Sequence, residues 1–210
     1  MRKAEIFRFN RRMYSESLVS GGSVRIGTIS DFRRIEVHKL NKGDPLEGAV
    51  GYKGTDPSGL LAGPIQSELA AMGQHFIGCS FWSAGNIDIF VDGGDALVLC
   101  LSMTDDPNVA LGLDETYDSC VAIRRPHILA QRLTTALRTK GVSVSEPELG
   151  PVTYKKRIVG PEGGLNPSFF AKDVALEDQK EFRIVWQSDG PLVAQIIPFH
   201  AAGCGIVIVW

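Results

Sequence analysis

The sequence predicts a single α+β domain built around antiparallel strands, and three observations lead to that prediction. The chain has 210 residues, which suits one domain, since single domains commonly run to roughly 250 residues before splitting. Its apolar content of 44% and charged content of 22% are ordinary for a globular protein with a packed core. Strand-like segments recur along residues 1–210, whereas helix signals are few, which favours an antiparallel sheet with a few helices.

The first elements follow from composition and turn signals. Residues 5–9 have strand composition, and residues 11–19 predict a short helix that ends at Gly21-Gly22. Apolar residues alternate along residues 23–29, which is typical of a strand with one buried face.

The middle of the chain contains a glycine- and proline-rich segment and three apolar runs. From Gly51 to Pro64 these residues are frequent enough to predict a long loop or hairpin. Three core strands are predicted, at residues 74–82, 87–91 and 96–102.

The second half carries the clearest helix. Pro126 suits a first helical turn, Leu129, Leu133 and Leu137 recur at helical spacing, and Gly141 supplies a stop. Strands are predicted at residues 121–123, 152–159, 181–187, 192–198 and 206–210. Because the last of these would aggregate as an exposed edge, we expect it to be paired internally or across a homodimer.

Charge and hydropathy restrict the classes of protein. A net charge of −2 gives no overall positive field for a polyanion. The N-terminus lacks the apolar region of a signal peptide, and no run approaches the ~18 apolar residues of a membrane span, so we expect a cytoplasmic protein without a membrane partner. The scattered Cys79, Cys100, Cys120 and Cys204 are interpreted as buried thiols.

Three polar residues interrupt segments that otherwise resemble buried strands. They are a cation at Arg8, a hydroxyl at Ser80 and a carboxylate at Glu181. On three separate strands, such groups are able to converge in a cleft. Together they would hold a phosphate, order a ribose and stabilise positive charge developing on a sugar.

This trio resembles the ADP-ribosyltransferase-like superfamily, and Gln179-Lys180-Glu181 resembles its QxE motif. The resemblance implies mostly antiparallel split sheets with a few helices and NAD as the substrate. It also implies that Arg8 contacts NAD phosphate or ribose, with Arg25 as a second cofactor-binding candidate, and that Ser80 orients the nicotinamide ribose. Gln179 would help to choose a protein or nucleic-acid acceptor, and Glu181 would be the catalytic carboxylate.

The overall layout also resembles uncharacterised bacterial domains, some of them linked to phage defence. The similarity consists of the strand at residues 25–28, an Asp-Pro-x-Glu element at residues 44–47 and a Glu-x-Arg strand ending at Arg183. It implies no chemistry of its own, but it suggests a toxin or defence effector.

Structural roles are alternatives for each of these residues. Arg8 would pair with an acid or extend from an edge strand, Ser80 would be a satisfied core hydroxyl, and Glu181 with Arg183 would be a surface ion pair worth little. The arginines of the first forty residues, including Arg25, are either a solvated face or a phosphate-recognition surface.

Other polar candidates are weaker. Asp44 and Glu47 either cap a turn or hold a divalent cation or a substrate hydroxyl, and His75 would line the cleft. The histidines lack zinc-binding spacing, so no metal is predicted. Besides the transferase, two functions remain open at this point: a non-enzymatic module that recognises a nucleotide, RNA or protein, and a metal-dependent nuclease that uses Asp44 and Glu47.

Overall fold

A computed structural model describes residues 5–34, 47–55, 86–156, 158–159 and 167–210. The strands are β1 (Ile6–Asn10), β2 (Ser23–Thr28), β3 (Ala49–Thr55), β4 (Asn86–Asp92), β5 (Ala96–Ser102), β6 (Ser119–Ile123), β7 (Glu148–Pro151), β8 (Thr153–Tyr154), β9 (Ile158–Val159), β10 (Ala171–Lys172), β11 (Glu181–Gln187), β12 (Gln195–Pro198) and β13 (Ile206–Ile208). The helices are α1 (Arg12–Val19), α2 (Ile29–Phe32), α3 (Pro107–Leu113), α4 (Pro126–Thr139) and a 3₁₀ helix (Val174–Gln179).

The fold is α+β, as predicted, with a curled, largely antiparallel sheet and few helices. Within the described residues, the main sheet has the strand order β12-β2-β5-β1-β6-β13, and β11 pairs with both β5 and β7. Smaller sheets join β3, β4 and β9, and β8 with β10. The pairs β3–β9 and β8–β10 are parallel.

The sheet branches at β5. Along one edge, β11 pairs with the whole strand, from Glu181 opposite Ser102 to Gln187 opposite Ala96. Along the other edge, β2 pairs only with Leu97 and Val98, and β1 pairs only with Ser102. The strands β1 and β2 therefore diverge along the middle of β5.

The two faces of the β5–β11 pair differ in chemistry because successive side chains of a strand point to opposite sides. On one face, Leu97, Leu99 and Leu101 of β5 belong to the main core with Ile184 and Trp186 of β11. The buried leucines of α4, Leu129, Leu133 and Leu137, complete this core. The opposite face carries Cys100 and Ser102 beside Arg183 and Glu181.

Most predicted elements are confirmed within a residue or two. The helix α4 has Pro126 in its first turn, and Gly141 follows it with a φ of +84°, the left-handed conformation that glycine tolerates best. The terminal strand β13 pairs internally with β6. No helix among the described residues has the length and apolar character that crossing a membrane requires.

Some predictions were wrong. For residues 51–64, predicted as a long loop or hairpin, the loop alternative is wrong at residues 51–55: these are part of β3, which pairs antiparallel with β4 from Ala49 opposite Asp92 to Thr55 opposite Asn86. Cross-strand pairing outweighs local composition there. The predicted strand at 152–159 is interrupted between β8 and β9, and the strand predicted from residue 192 begins at Gln195. Residues 56–64 and the predicted strand at 74–82 lie outside the described residues.

Two short helices were not predicted. The side chain of Asp106 caps α3 by accepting from the backbone N–H of Asn108, and Pro107 occupies the first turn. Thr28 caps α2 by accepting from the N–H of Asp31. Both are recognisable start signals, but each helix is too short to show an apolar period.

Candidate functional site

A cavity of about 590 Å³ lies where β1 and β2 diverge beside β5. This volume is within the range of small-molecule sites, roughly 300–1,000 Å³. The polar groups discussed below that line it are Arg8, Arg25, Glu47, Lys172, Gln179, Glu181 and Arg183. The cavity therefore collects charged groups from segments that are distant in sequence.

Four buried charges form one ion-paired cluster at the cavity wall, and we call it the charge cluster: Glu47, Lys172, Glu181 and Arg183. Arg183 is its centre. Its Nε donates to Oε1 of Glu181 at 2.7 Å, and its Nη2 donates to Oε2 at 3.3 Å. Its Nη1 donates to Oε1 of Glu47 at 2.7 Å.

Lys172 closes the cluster from β10. Its Nζ donates to Oε2 of Glu181 at 2.9 Å and to Oε1 of Gln179 at 2.7 Å. Oε2 of Glu47 lies 3.9 Å from the same Nζ, beyond hydrogen-bonding distance. One ammonium group thus holds both outer residues of the Gln179-Lys180-Glu181 motif.

The cluster shifts the pKa values of Glu181 and Lys172. Burial alone would raise the pKa of Glu181, but Arg183 and Lys172 outweigh this effect and hold the pKa well below the usual glutamate range. Burial likewise disfavours the charged form of Lys172, yet Glu181 and Glu47 raise its pKa. Glu181 is therefore an ionised carboxylate with little capacity to act as a base.

The left-handed backbone of Lys180 positions the side chains of Gln179 and Glu181. The 3₁₀ helix begins after Asp173, whose side chain accepts from the N–H of Ala175. It ends at Lys180, which has φ 44° and ψ 49°. The carbonyl of Lys180 accepts from the N–H of Met103 at 2.8 Å. The left-handed turn separates Gln179 from Glu181, and such strain at a lined cavity is typical of functional sites.

A glycine turn places Glu47. Gly48 has φ +68°, and its carbonyl accepts from the N–H of Gly93 at 3.0 Å. A Cβ at Gly93 would lie 2.9 Å from that oxygen, so the close approach requires glycine there. The carbonyl of Glu47 accepts from Nε of Arg33 at 2.7 Å. Glu47 is thus held by its backbone as well as by Arg183.

Arg8 on β1 is the least satisfied of the lining cations. Its Nε and Nη2 make only long hydrogen bonds, to Oδ1 of Asn10 at 3.4 Å and to the carbonyl of Arg25 at 3.5 Å. Its Nη1 is buried and has no hydrogen-bond partner among the described residues. Burial lowers the pKa of Arg8 from its ordinary value. Arg25, in contrast, pairs with Asp31.

Cys100 lies on β5 opposite Arg183 and also lines the cavity. Burial, reinforced by the Glu181 carboxylate, raises its pKa well above that of an ordinary thiol. Because the thiolate is the reactive form of cysteine, Cys100 is a neutral, unreactive wall of the site.

The structure brings together six of the sequence-predicted candidates. Arg8, Arg25, Glu47, Gln179, Glu181 and Arg183 all line the cavity. The other three, Ser80, Asp44 and His75, lie outside the described residues.

The interpretation of Glu181 and Arg183 as a surface ion pair was wrong. Arg183 is 1% exposed and Glu181 is 4% exposed, because Glu47, Lys172 of β10 and the segment at Phe169 cover that face of the sheet. The carbonyl of Phe169 accepts a hydrogen bond from Nη1 of Arg183. The sequence shows that Glu181 and Arg183 are neighbours on one strand, but it does not show that other segments pack over them.

Two residues of the site were missed altogether. Lys172 carries the second cation of the charge cluster, and the Tyr154 hydroxyl accepts from the backbone N–H of Glu181 at 2.7 Å. The signal for Lys172 was its position directly after the apolar run Phe169-Phe170-Ala171. Tyr154 gave no signal.

Comparison with protein-family models, with curated proteins and with solved structures finds no match for this chain. Among the described residues there is no group of three or more His, Cys, Asp or Glu side chains that would hold a metal ion. The case for a function therefore depends on the cavity itself.

Proposed function

We propose that the chain is an NAD-dependent ADP-ribosyltransferase-like enzyme whose cavity binds NAD and transfers ADP-ribose to a protein or nucleic-acid acceptor. One observation carries the proposal. Arg8 lies on β1, Gln179 ends the 3₁₀ helix and Glu181 begins β11, yet all three line the same cavity. These are the described members of the arginine, serine and QxE pattern that the sequence suggested, in which Glu181 is the last residue of QxE and Ser80 lies outside the described residues.

Cleavage of the nicotinamide–ribose bond is favoured by a fixed negative charge in the site. When the bond between nicotinamide and ribose breaks, its electron pair leaves with the nicotinamide nitrogen, and C1′ of the ribose acquires oxocarbenium character. A nucleophile of the acceptor, or water, then bonds to C1′ and loses a proton. Glu181 stays ionised because Arg183 and Lys172 lower its pKa, so it suits electrostatic stabilisation of that cation.

The anionic part of NAD has a matching donor. Arg8 presents a buried Nη1 without a partner among the described residues, and charge-assisted hydrogen bonds from guanidinium to phosphate are among the stronger polar contacts. The pyrophosphate would satisfy this donor. A role as toxin or defence effector would follow from the acceptor that the enzyme modifies.

The test is nicotinamide release together with NAD binding by the purified protein, with cell lysate supplied as acceptor. We expect Glu181→Gln to lower the maximal rate by about 10²–10³-fold, the usual effect of removing one stabilising group, with a much smaller change in NAD affinity. Arg8→Met should instead weaken NAD binding by about 10-fold or more, as expected for one charged hydrogen bond.

Arg124→Ala is the matched control, because Arg124 forms an exposed ion pair with Glu5 and is not among the lining residues. Its rate and NAD affinity should stay at the wild-type values. A Glu181→Gln protein that turns over NAD near the wild-type rate would remove Glu181 from the catalytic role.

A second candidate function is a non-enzymatic nucleotide-recognition module. The observation that favours it is that both carboxylate oxygens of Glu181 are already engaged by Arg183 and Lys172. The charge cluster then has no net charge, which weakens its attraction for a ribosyl cation. This module predicts nucleotide binding without nicotinamide release, whichever acceptor is added.

The metal-dependent nuclease gains no support from the described part of the site. The carboxylate of Glu47 faces Arg183 and Lys172, which already neutralise it. A nuclease of that kind predicts activity that a chelator abolishes.

A further inference from the structure

Two residues that line the cavity each carry a buried polar atom without a hydrogen-bond partner among the described residues, and the two atoms are of opposite character. One is the donor Nη1 of Arg8, and the other is the acceptor Oε2 of Glu47. A buried polar atom that lacks a partner costs roughly 1–3 kcal/mol. Because both residues line the same cavity, a ligand that binds there is the natural source of the missing partners.

The two carboxylates of the charge cluster differ in how many of their oxygens already accept a hydrogen bond. Glu181 receives hydrogen bonds on both oxygens, from Arg183 on Oε1 and from Arg183 and Lys172 on Oε2. Among the described residues, Glu47 receives one, on Oε1. Although Glu47 is 1% exposed, its Oε2 has no hydrogen-bond partner in the part of the chain that the structure describes. The acceptor available to a ligand therefore belongs to Glu47.

The described groups around Oε2 of Glu47 do not donate a hydrogen bond to it. Lys172 lies 3.9 Å from it, and the Lys172 ammonium is held by shorter bonds to Gln179 and Glu181. The backbone of Glu47 is fixed by Arg33 and by the turn at Gly48. The carboxylate is thus held in place before any ligand arrives, as specificity-determining groups usually are.

We propose that Glu47 is a specificity-determining residue whose Oε2 accepts a hydrogen bond from an uncharged donor of the ligand, either a sugar hydroxyl or a carboxamide N–H. The identity of the ligand rests on the proposed function. Glu47 and Glu181 bind the same guanidinium, so both carboxylates face one part of the ligand. In NAD, that part is the nicotinamide riboside, which carries both kinds of donor.

The experiment is calorimetric binding of NAD and of ADP-ribose to the wild type and to Glu47→Gln. The glutamine can keep its oxygen on Arg183, so its amide N–H₂ would face the ligand where Oε2 was. A carboxamide N–H would then meet another donor, and a sugar hydroxyl would lose its charged acceptor. We expect NAD affinity to fall about 10-fold or more, in line with the loss of a hydrogen bond to a charged group.

ADP-ribose separates the two donors, because it keeps the ribose hydroxyls and lacks the carboxamide. If Glu47→Gln weakens both ligands, the donor is a hydroxyl. If it weakens NAD alone, the donor is the carboxamide. Either result supports the proposal, whereas NAD and ADP-ribose affinities within about 2-fold of the wild type would overturn it.

Ser15→Ala is the matched control. Its Oγ is also buried without a partner among the described residues, but Ser15 does not line the cavity, so both affinities should stay unchanged. If circular dichroism shows that Glu47→Gln is unfolded, Glu47→Asp replaces it. That variant keeps the charge and withdraws the oxygen by one methylene, so it should weaken binding too, and unchanged affinity would again overturn the proposal.

The outcome is separable from that of the proposed function. If Glu47→Gln binds the nucleotides more weakly but neither the wild type nor any variant releases nicotinamide, the role of Glu47 stands and the proposed enzymatic activity is overturned. Nicotinamide release with an unaffected Glu47→Gln would do the reverse. A wild type that binds neither nucleotide would overturn both.

Discussion

The two faces of the β5–β11 strand pair show how one sheet separates stability from function. One face presents leucine, isoleucine and tryptophan to α4, and Nε1 of Trp186 donates to Oγ1 of Thr134 of that helix at 2.7 Å. The other face presents Glu181 and Arg183 to the cavity. The apolar face needs only area and shape, whereas the charged face needs specific partners from other segments.

The energetic consequences differ accordingly. Full burial of one leucine side chain stabilises a fold by roughly 1.5–3 kcal/mol. A buried ion pair, in contrast, often contributes nothing net, because the desolvation of both charges offsets their attraction. The charge cluster is therefore a poor explanation of stability. Its position beside a ligand-sized cavity is better explained by binding or catalysis.

The largest effect should follow removal of the central cation. Arg183→Met leaves the carboxylates of Glu47 and Glu181 buried with only Lys172 for compensation. We expect the free energy of unfolding to fall by about 3–5 kcal/mol, the usual result of breaking a buried pair. Urea unfolding measures it.

Arg124→Ala breaks the exposed pair with Glu5 and should cost less than about 1 kcal/mol. Equal losses in the two variants would mean that burial of the charges is energetically unimportant. The comparison of the two faces would then fail.

Acid should distinguish the two faces. The folded-state pKa of Glu181 lies below its unfolded value, so its contribution to stability is present above about pH 4.3 and is lost as the pH falls further. Glu181→Gln lacks this contribution. Its free energy of unfolding should be lower at pH 7 and decline less between pH 5 and pH 2.

Leu133→Ala is the counterpart, because Leu133 of α4 packs in the core on the apolar face. It should lower the free energy of unfolding by about 2–5 kcal/mol at every pH, giving a curve parallel to that of the wild type. Chemical unfolding at a series of pH values measures both variants. A Glu181→Gln curve that also runs parallel to the wild type would contradict the assigned pKa direction.

The smallest effect should come from the turn before Glu181. Lys180 has φ 44°, which costs a side-chain-bearing residue roughly 1–2 kcal/mol. Lys180→Gly removes that cost but gains chain entropy in the unfolded state, roughly 0.5–1 kcal/mol. We expect a net stabilisation of about 1 kcal/mol or less by urea unfolding.

Lys155→Gly is the comparison, because Lys155 is exposed and has no left-handed backbone conformation to relieve. It should be neutral or slightly destabilising. If the free energy of unfolding changes by the same amount in Lys180→Gly and Lys155→Gly, the left-handed turn at Lys180 carries no strain.

Local patterns in the sequence determined much of the fold. Apolar alternation and turn residues located β1, β2, β5 and β11 to within a residue or two, and helical spacing located α4. These signals depend on neighbours along the chain. The same holds for the motif at Gln179 and Glu181, whose spacing is itself local.

Tertiary structure decided the site. Glu181 and Arg183 looked like a surface pair because the sequence does not show that Glu47, Lys172 and Phe169 come from other segments to cover them. It likewise cannot show that Arg8 reaches the same cavity. A side chain's burial and pKa depend on what packs against it through space, so the sequence determined which face of β11 is charged, and only packing determined that this face is buried.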